Sequence, residues 1–350
     1  MLRRGVCAMV AVWGSWAFCL DAFAGTIQVP GDHPTIQDAI VAASPGDIIE
    51  IDPGTWTGPF SITKDLSLRG TGSTPGAVVL TNSASSTARV LVVGSGIDAT
   101  VENLSFEDAP AGAVLVQSSG SVSCFGVVFR NLVFDSRFVD NASISGGVSD
   151  RGSAISTTGF NSFSNLFISG STFRRNTGSK GVISVFHGIA TINESLFEDA
   201  NDSVYMIDAG TNSDVTVTNS ILTGMSGNAP FRVGEDTELV LTNVTVAENE
   251  CTGAGLASGS LPATVDVRNS VVRFDESLQL ASSALTVTAR YSNITGGLAG
   301  PGNIDADPMF KSDTLFQLDA GSPCIDAADS TVTSAPVDYS GQPRFTDDLN

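Results

Sequence analysis

The chain is poor in positive charge, in histidine and in aromatic rings. Lys and Arg number 17 of 350 residues against 37 Asp and Glu, for a formal net charge of −20. Binding to phosphate backbones needs a basic face, so a nucleic-acid partner is excluded as the default. Only His33 and His187 are present, too few for a histidine-based zinc site. Aromatic residues make up 7% of the chain, which leaves few rings for stacking on a ligand. Charged residues are only 15% and apolar residues 42%, which excludes a disordered acidic chain. Strong helix formers are scarce. Val, Thr, Ile, Ser, Gly and Asn recur instead, with 36 Gly, the composition of an all-β protein with many tight turns. The length is ample for a large core.

The segment Met1 to Ala24 reads as a secretory signal peptide. Arg3 and Arg4 precede an apolar run from Val6 to Leu20, and Ala22-Phe23-Ala24 offers a cleavage site before Gly25. The run is short for a membrane span and no later segment approaches one. Trp16-Ala17-Phe18 before Cys19 does not fit a lipoprotein signal. The expected destination is extracellular or at the cell surface. Processing removes Arg3, Arg4 and Asp21, shifting the net charge from −20 to −21. It leaves Cys124, Cys251 and Cys324, with Trp56 as the sole tryptophan.

The rest of the chain repeats. Aligned on the residue that closes the pattern φ-x-φ-x-[N/G]-S-x-φ, the repeats end at Phe106, Phe129, Phe173, Phe197, Leu222, Val246, Val272 and Ile294. The spacing is nearly constant, except between Phe129 and Phe173, where it is about twice the unit. Seven residues before each closing position stand Ala99, Val122, Leu166, Ala190, Val215, Leu239, Val265 and Val287. Five before stand Val101, Cys124, Ile168, Ile192, Val217, Leu241, Val267 and Ala289. These columns alternate with polar residues, so they face one side of a short strand. Asn or Gly three before the end (Asn103, Gly126, Gly170, Asn219, Asn243, Asn269) suits a bend through the left-handed region. Further short apolar strands, Val114–Val116, Val182–Val185, Val204–Ile207 and Leu278–Leu280, precede the pattern. Three strands per ~24 residues with no helix between them predict one coil of a parallel β-helix. Each column then becomes a ladder, with the phenylalanines in the core and Asn219, Asn243 and Asn269 exchanging side-chain hydrogen bonds. A β-sandwich, the competing all-β fold, does not predict identical columns at a fixed period.

The fold expected is thus all-β, a single-domain right-handed parallel β-helix with a short N-terminal capping helix. Residues 25–95 form the cap and first coils, 96–300 the repeats, and 301–350 a closing segment. The missing repeat near residue 151 and the Gly-rich stretch there mark an insertion at about 139–153. Pro34 and Thr35 start the capping helix and Pro45-Gly46 ends it.

The opening stretch from Ile27 to Ile40, then Pro45-Gly46-Asp47 and Pro53-Gly54-Thr55-Trp56, resembles right-handed parallel β-helix proteins of the pectin-lyase-like superfamily. The stretches Asn303–Phe310, Leu318–Ala327 and Asp338–Arg344 resemble the closing segment of bacterial choice-of-anchor β-helix proteins, secreted and mostly of unknown function. There a further strand follows the Gly-x-Pro-Arg segment. The stop at Asn350 therefore implies a truncated closing segment, with any anchoring module outside it. The resemblance implies a fold rather than an activity.

The superfamily holds polysaccharide lyases, polygalacturonases and pectin esterases. The paired Asp of polygalacturonases has no counterpart on a wall, because Asp347-Asp348 lies in the terminal tail. Pectate lyases hold calcium with wall carboxylates beside a basic residue. The matching candidates follow the closing positions, where Arg174 is expected above Glu198 and Arg175 above Asp199. The competing reading is a solvated ion-pair ladder. Asp305, Asp307, Asp319, Asp326 and Asp329 read as turn formers, with calcium as the alternative. No other cofactor is expected, and His187 reads as a turn residue. Cys124 lies at least four coils from Cys251, beyond disulfide reach, and reads as a buried thiol. Cys251 and Cys324 pair only if the tail folds back.

For glycan stacking the candidates are Trp56, Tyr205, Tyr291 and Tyr339, the phenylalanines being assigned to the core. The expectation is a secreted scaffold contacting a polysaccharide or cell-surface glycan, with no recognisable catalytic set and no membrane span in the mature chain. The alternative is a calcium-dependent polysaccharide lyase or another polysaccharide-degrading enzyme acting through Arg174, Arg175, Glu198 and Asp199. The net charge disfavours a polyuronate unless calcium bridges it.

Overall fold

A computed structural model of the chain describes residues 24–82, 88–109, 111–117, 119–130, 133–134, 152–157, 164–178, 181–200, 205–252, 256–258, 262–273, 285–311, 316–332 and 338. The signal-peptide reading, most of the 139–153 insertion, the Leu278–Leu280 strand and Tyr339 lie outside these residues.

Alternating apolar side chains make each short segment a strand with one face to bury, and a tight bend every few residues redirects the chain. The strands assemble into three parallel sheets of eleven, ten and eight strands, with two further two-stranded pairs. In the eleven-stranded sheet Asp98–Glu102, Ser121–Phe125, Ser164–Ser169, Gly188–Asn193, Ser213–Thr218, Glu238–Thr242, Ala263–Arg268 and Leu285–Arg290 follow in sequence order. Each pairs in parallel with its counterpart one coil away, so the chain visits the sheets in turn and stacks on itself. This is the parallel β-solenoid that the period predicts.

The register reproduces the aligned columns. Phe106, Phe129, Phe173, Phe197, Leu222, Val246, Val272 and Ile294 are successive partners in the ten-stranded sheet. Trp56 and Leu80 extend that ladder by two rungs. The rings of Phe173 and Phe197 stack in the core with centroids 4.5 Å apart and planes 5° from parallel. Burying each such side chain contributes about 1.5–3 kcal/mol.

The bends follow one rule. Asn103, Gly126, Gly170, Glu194, Asn219, Asn243, Asn269 and Tyr291 all have φ between 48° and 59°. Where a serine follows the bend, at Ser171, Ser195, Ser220, Ser270 and Ser292, it is buried and bonds in two directions. Ser195 Oγ accepts from the N–H of Ser171 at 3.4 Å, and Ser220 Oγ from that of Ser195 at 3.0 Å. Each hydroxyl donates to the carbonyl two residues back, Ser195 to Asn193 at 2.8 Å and Ser220 to Thr218 at 2.7 Å. The asparagine ladder forms with shifted ends. Asn243 Nδ2 donates to Asn219 Oδ1 at 3.1 Å, and Asn219 Nδ2 to Asn193 Oδ1 at 3.0 Å. Asn269 departs from the expected ladder, because its amide exchanges two 2.9 Å bonds with the backbone of Asp329.

Both ends of the solenoid carry appended segments. A helix, Ile36–Ala42, is capped by Thr35, whose hydroxyl accepts from Asp38 N at 3.1 Å, and it lays Ile36, Ala39 and Ile40 on the core. At the other end the chain runs back outside the ten-stranded sheet. Asp305 Oδ1 accepts from Arg273 at 2.8 Å, and Phe310 and Phe316 pack on Leu196, Ile221 and Ala247. Asp329 then returns to Asn269. The closing segment is therefore a strap laid along a wall rather than one more coil.

Candidate functional site

On the outer face of the ten-stranded sheet, Arg174 stands in register with Glu198 and the two form an ion pair. Their side chains are 40% and 18% exposed, so water screens the attraction and the pair contributes roughly 0–1 kcal/mol. Arg175 and Asp199 are exposed and occupy a second bend, with φ of 53° and 54°. Asp108, Gly224 and Glu248 hold the same conformation in that column. The N–H of Arg175 donates to Glu198 O at 3.1 Å and that of Asp199 to Thr223 O at 3.2 Å. A Cβ on Gly224, whose φ is 66°, would lie 2.8 Å from Asp199 Oδ1, so the carboxylate rests against the next bend. The four candidates thus share one corner of the wall, Arg174 bonded to Glu198 through side chains, Arg175 bonded to Glu198 through its backbone, and Arg175 and Asp199 occupying equivalent bends one coil apart. Among the described residues no ion pair joins Arg175 to Asp199, and no three Asp, Glu, His or Cys side chains converge on a cation-sized space.

The C-terminal acids act on their own neighbourhood. Asp307 Oδ1 accepts from Met309 N at 2.8 Å and Asp319 Oδ1 from Ala320 N at 2.7 Å, while Asp326 holds a left-handed φ of 54°. Asp305 Oδ2 also accepts from Gly296 N at 3.1 Å. Asp329 Oδ1 accepts from the N–H and hydroxyl of Thr331 at 2.9 and 2.7 Å, and these bonds hold its carboxyl below the ordinary carboxylate range.

A further charged cluster was not anticipated. In the eight-stranded sheet Ser184, Asp208 and Arg232 are successive partners, one coil apart on the outward column. Asp208 is fully buried. Its Oδ1 accepts from Arg232 Nη1 at 2.6 Å and its Oδ2 from the Ser184 hydroxyl at 3.4 Å. The apolar run Val204–Ile207 stops one residue short of Asp208, which hid it, although the equal spacing of the three was legible. A buried carboxylate closed by a guanidinium is an acceptor already in use. Removing Arg232 would strand that charge, at a cost of about 3–5 kcal/mol.

The aromatic inventory also needs correction. Trp56 is half-buried against the core with its Nε1 donating to Asp52 O at 3.1 Å, Tyr205 is buried, and Tyr291 is a bend residue. Phe125 and Phe167, assigned to the core with the other phenylalanines, lie instead on the outer face of the eleven-stranded sheet, 39% and 38% exposed. They occupy the positions that alternate with the inward columns, so the periodicity carried the signal. His187 is a turn residue with φ of 49°, as expected. Cys124 is buried in its inward column, and Cys251 and Cys324 are thiols. Cys324 Sγ accepts from Asn293 Nδ2 at 3.1 Å.

Among the described residues, no helix is long and apolar enough to cross a membrane. No protein-family model matches the chain. No curated protein sequence matches it. Among solved structures it is similar to the pectate lyase Pel9A, at 14% identity and a TM-score of 0.47, covering 92% of this chain and 96% of that one. It is similar to an alginate lyase from Paenibacillus sp. str. FPU-7, at 17% identity and a TM-score of 0.46, covering 74% and 97%. It is similar to a pectin methylesterase from carrot, at 11% identity and a TM-score of 0.49, covering 75% and 88%. Likenesses of this size carry no activity across to this chain, and the solenoid assignment stands on its own strand register.

Proposed function

We propose that the protein is a secreted β-helix scaffold that presents its walls outside the cell and contacts glycans there without cleaving them. The observation that supports this reading is how the charged groups are engaged. Glu198 is closed by Arg174, Asp208 by Arg232 and Asp305 by Arg273, while Asp307, Asp319 and Asp329 serve their own turns. General acid–base cleavage needs a carboxylate or base that faces substrate, and calcium-assisted elimination needs several carboxylates on one ion. Pairing between coils serves the wall instead.

The test incubates the chain from Gly25 to Asn350 with neutral and acidic polysaccharides, with and without Ca²⁺. New reducing ends and the ultraviolet absorbance of unsaturated products are followed together. The scaffold reading expects binding to at least one glycan and neither product. Calcium-dependent product lost in Glu198→Gln or Arg174→Ala would overturn it in favour of a lyase.

A further inference from the structure

The outer face of the eleven-stranded sheet changes character along the solenoid. Toward the N-terminus it carries a charged ladder, in which Arg69 reaches Glu102 at 2.6 Å and Glu50 at 3.7 Å. Toward the C-terminus it carries Asp266 and Arg268. Between Glu102, the strand partner of Phe125, and Asp214, the strand partner of Ile189, the three adjacent strands Ser121–Phe125, Ser164–Ser169 and Gly188–Asn193 hold no charged residue, in a chain of net charge −20.

Across this neutral belt runs a diagonal apolar stripe. Phe125 pairs with Ser169, placing Phe167 one diagonal step away, and their ring centroids are 5.5 Å apart with the planes tilted by 50°, so each ring offers its own face to a separate sugar unit. Phe167 pairs with Thr191, placing Ile189 one further step along the same diagonal. The three are 39%, 38% and 44% exposed, and they are half of the six large hydrophobics exposed among the described residues. Two diagonal steps of roughly 7–8 Å each make a track of about 15 Å across three adjacent strands. Asn165 and Thr191, beside the stripe, offer an amide and a hydroxyl.

We propose that this stripe is a binding track for an uncharged polysaccharide, with Phe125 and Phe167 as the stacking platform. The proposal rests on the glycan-contacting reading above and names its site and substrate class. The apolar C–H face of a pyranose ring loses little water on a flat aromatic ring, and its equatorial hydroxyls point sideways toward amides and hydroxyls such as those of Asn165 and Thr191. An acidic polymer finds no cation on the belt and is repelled by the rest of the molecule. A second copy of the chain is a poor occupant. Fully exposed, a phenylalanine offers roughly 150–250 Å², so three side chains at this exposure present on the order of 200 Å², against about 800 Å² per partner in a stable interface.

The test is affinity electrophoresis of the full mature chain in gels containing xylan, mixed-linkage glucan or galactomannan, with polygalacturonate and alginate as the charged comparison. Retardation by a neutral polymer is expected. Phe125→Ala and Phe167→Ala should each raise Kd about tenfold, as loss of a central aromatic anchor does. Phe167→Trp should retain binding because it keeps a flat face, and Phe167→Leu should lose it despite keeping apolar area. Val41→Ala and Ile325→Ala, exposed on the helix and on the strap, should bind as the unaltered chain does. Binding to a neutral polymer that survives in the Phe125→Ala/Phe167→Ala double variant would overturn this site while leaving glycan contact intact. Retardation only by acidic polymers would overturn the substrate class. No retardation by any polymer would remove the glycan reading itself. A dimer in sedimentation velocity that dissociates on Phe167→Ala would assign the stripe to self-association instead.

Discussion

Asn243 performs two tasks that few residues combine. It holds φ at 56°, where a Cβ is strained, and its amide bonds Asn219 one coil below at 3.1 Å. Asn243→Gly should lose the coil-to-coil hydrogen bond, about 1 kcal/mol, and Asn243→Ala should add the left-handed penalty of about 1–2 kcal/mol. Urea unfolding of the two variants checks that order. Cys124 is a different case, a thiol wholly inside the core ladder. Burial pushes its pKa from 9.0 up to about 12, because the thiolate cannot be solvated there. The folded state thus holds the proton more tightly than the unfolded state. The resulting stabilisation is full below pH 9.0 and is lost as pH rises toward about 12. Cys124→Val, a match for Val101 beside it, should flatten that alkaline loss in unfolding curves, and in the folded protein Cys124 should resist thiol reagents at neutral pH while the half-buried Cys251 and Cys324 react first.

Among the elements, the strands follow from alternation and the strap does not. Its Phe310 and Phe316 meet edge-on, with centroids 5.0 Å apart, over Ile221, Ala247 and Leu196, a cluster separate from the main core. The strap is also tied at Arg273–Asp305 and Asn269–Asp329. Phe316→Ala should therefore cost about 2 kcal/mol, less than a truncation in the solenoid interior. It should raise limited proteolysis between residues 303 and 332 while the β-type circular dichroism of the coils persists. Simultaneous loss of both would mean that the strap and the coils unfold as one unit. The Phe173–Phe197 stack belongs to the interior, and Phe197→Ala should cost about 3–5 kcal/mol in the same assay.

For the molecule as a whole, 37 Asp and Glu outnumber 17 Lys and Arg, a net charge of −20. Self-repulsion then weakens the compact state. Raising NaCl from about 0.01 M to 0.15 M shortens the screening length from about 30 Å to 8 Å, and the melting temperature should rise. A fall would mean that the coil-to-coil ion pairs outweigh the repulsion. Each coil touches only its neighbours, so stability accumulates along the stack and its ends are kept from fraying by the helix and the strap.

Periodicity alone determined the solenoid, the identity of its inward columns and the left-handed bends. These depend on local rules, side-chain alternation and backbone sterics, which recur identically in every coil. The same period also placed Arg174 over Glu198 and set Ser184, Asp208 and Arg232 one coil apart. Only the tertiary structure decided which outward positions stay exposed. It put Asp208 wholly out of water and left Phe125 and Phe167 in it, although each stands on the outward side of its strand. It also turned Asn269 from its ladder to the backbone of Asp329, a partner far along the chain. Such outcomes depend on how neighbouring coils close over a side chain and on where the strap meets the wall, and that information is absent from any single repeat.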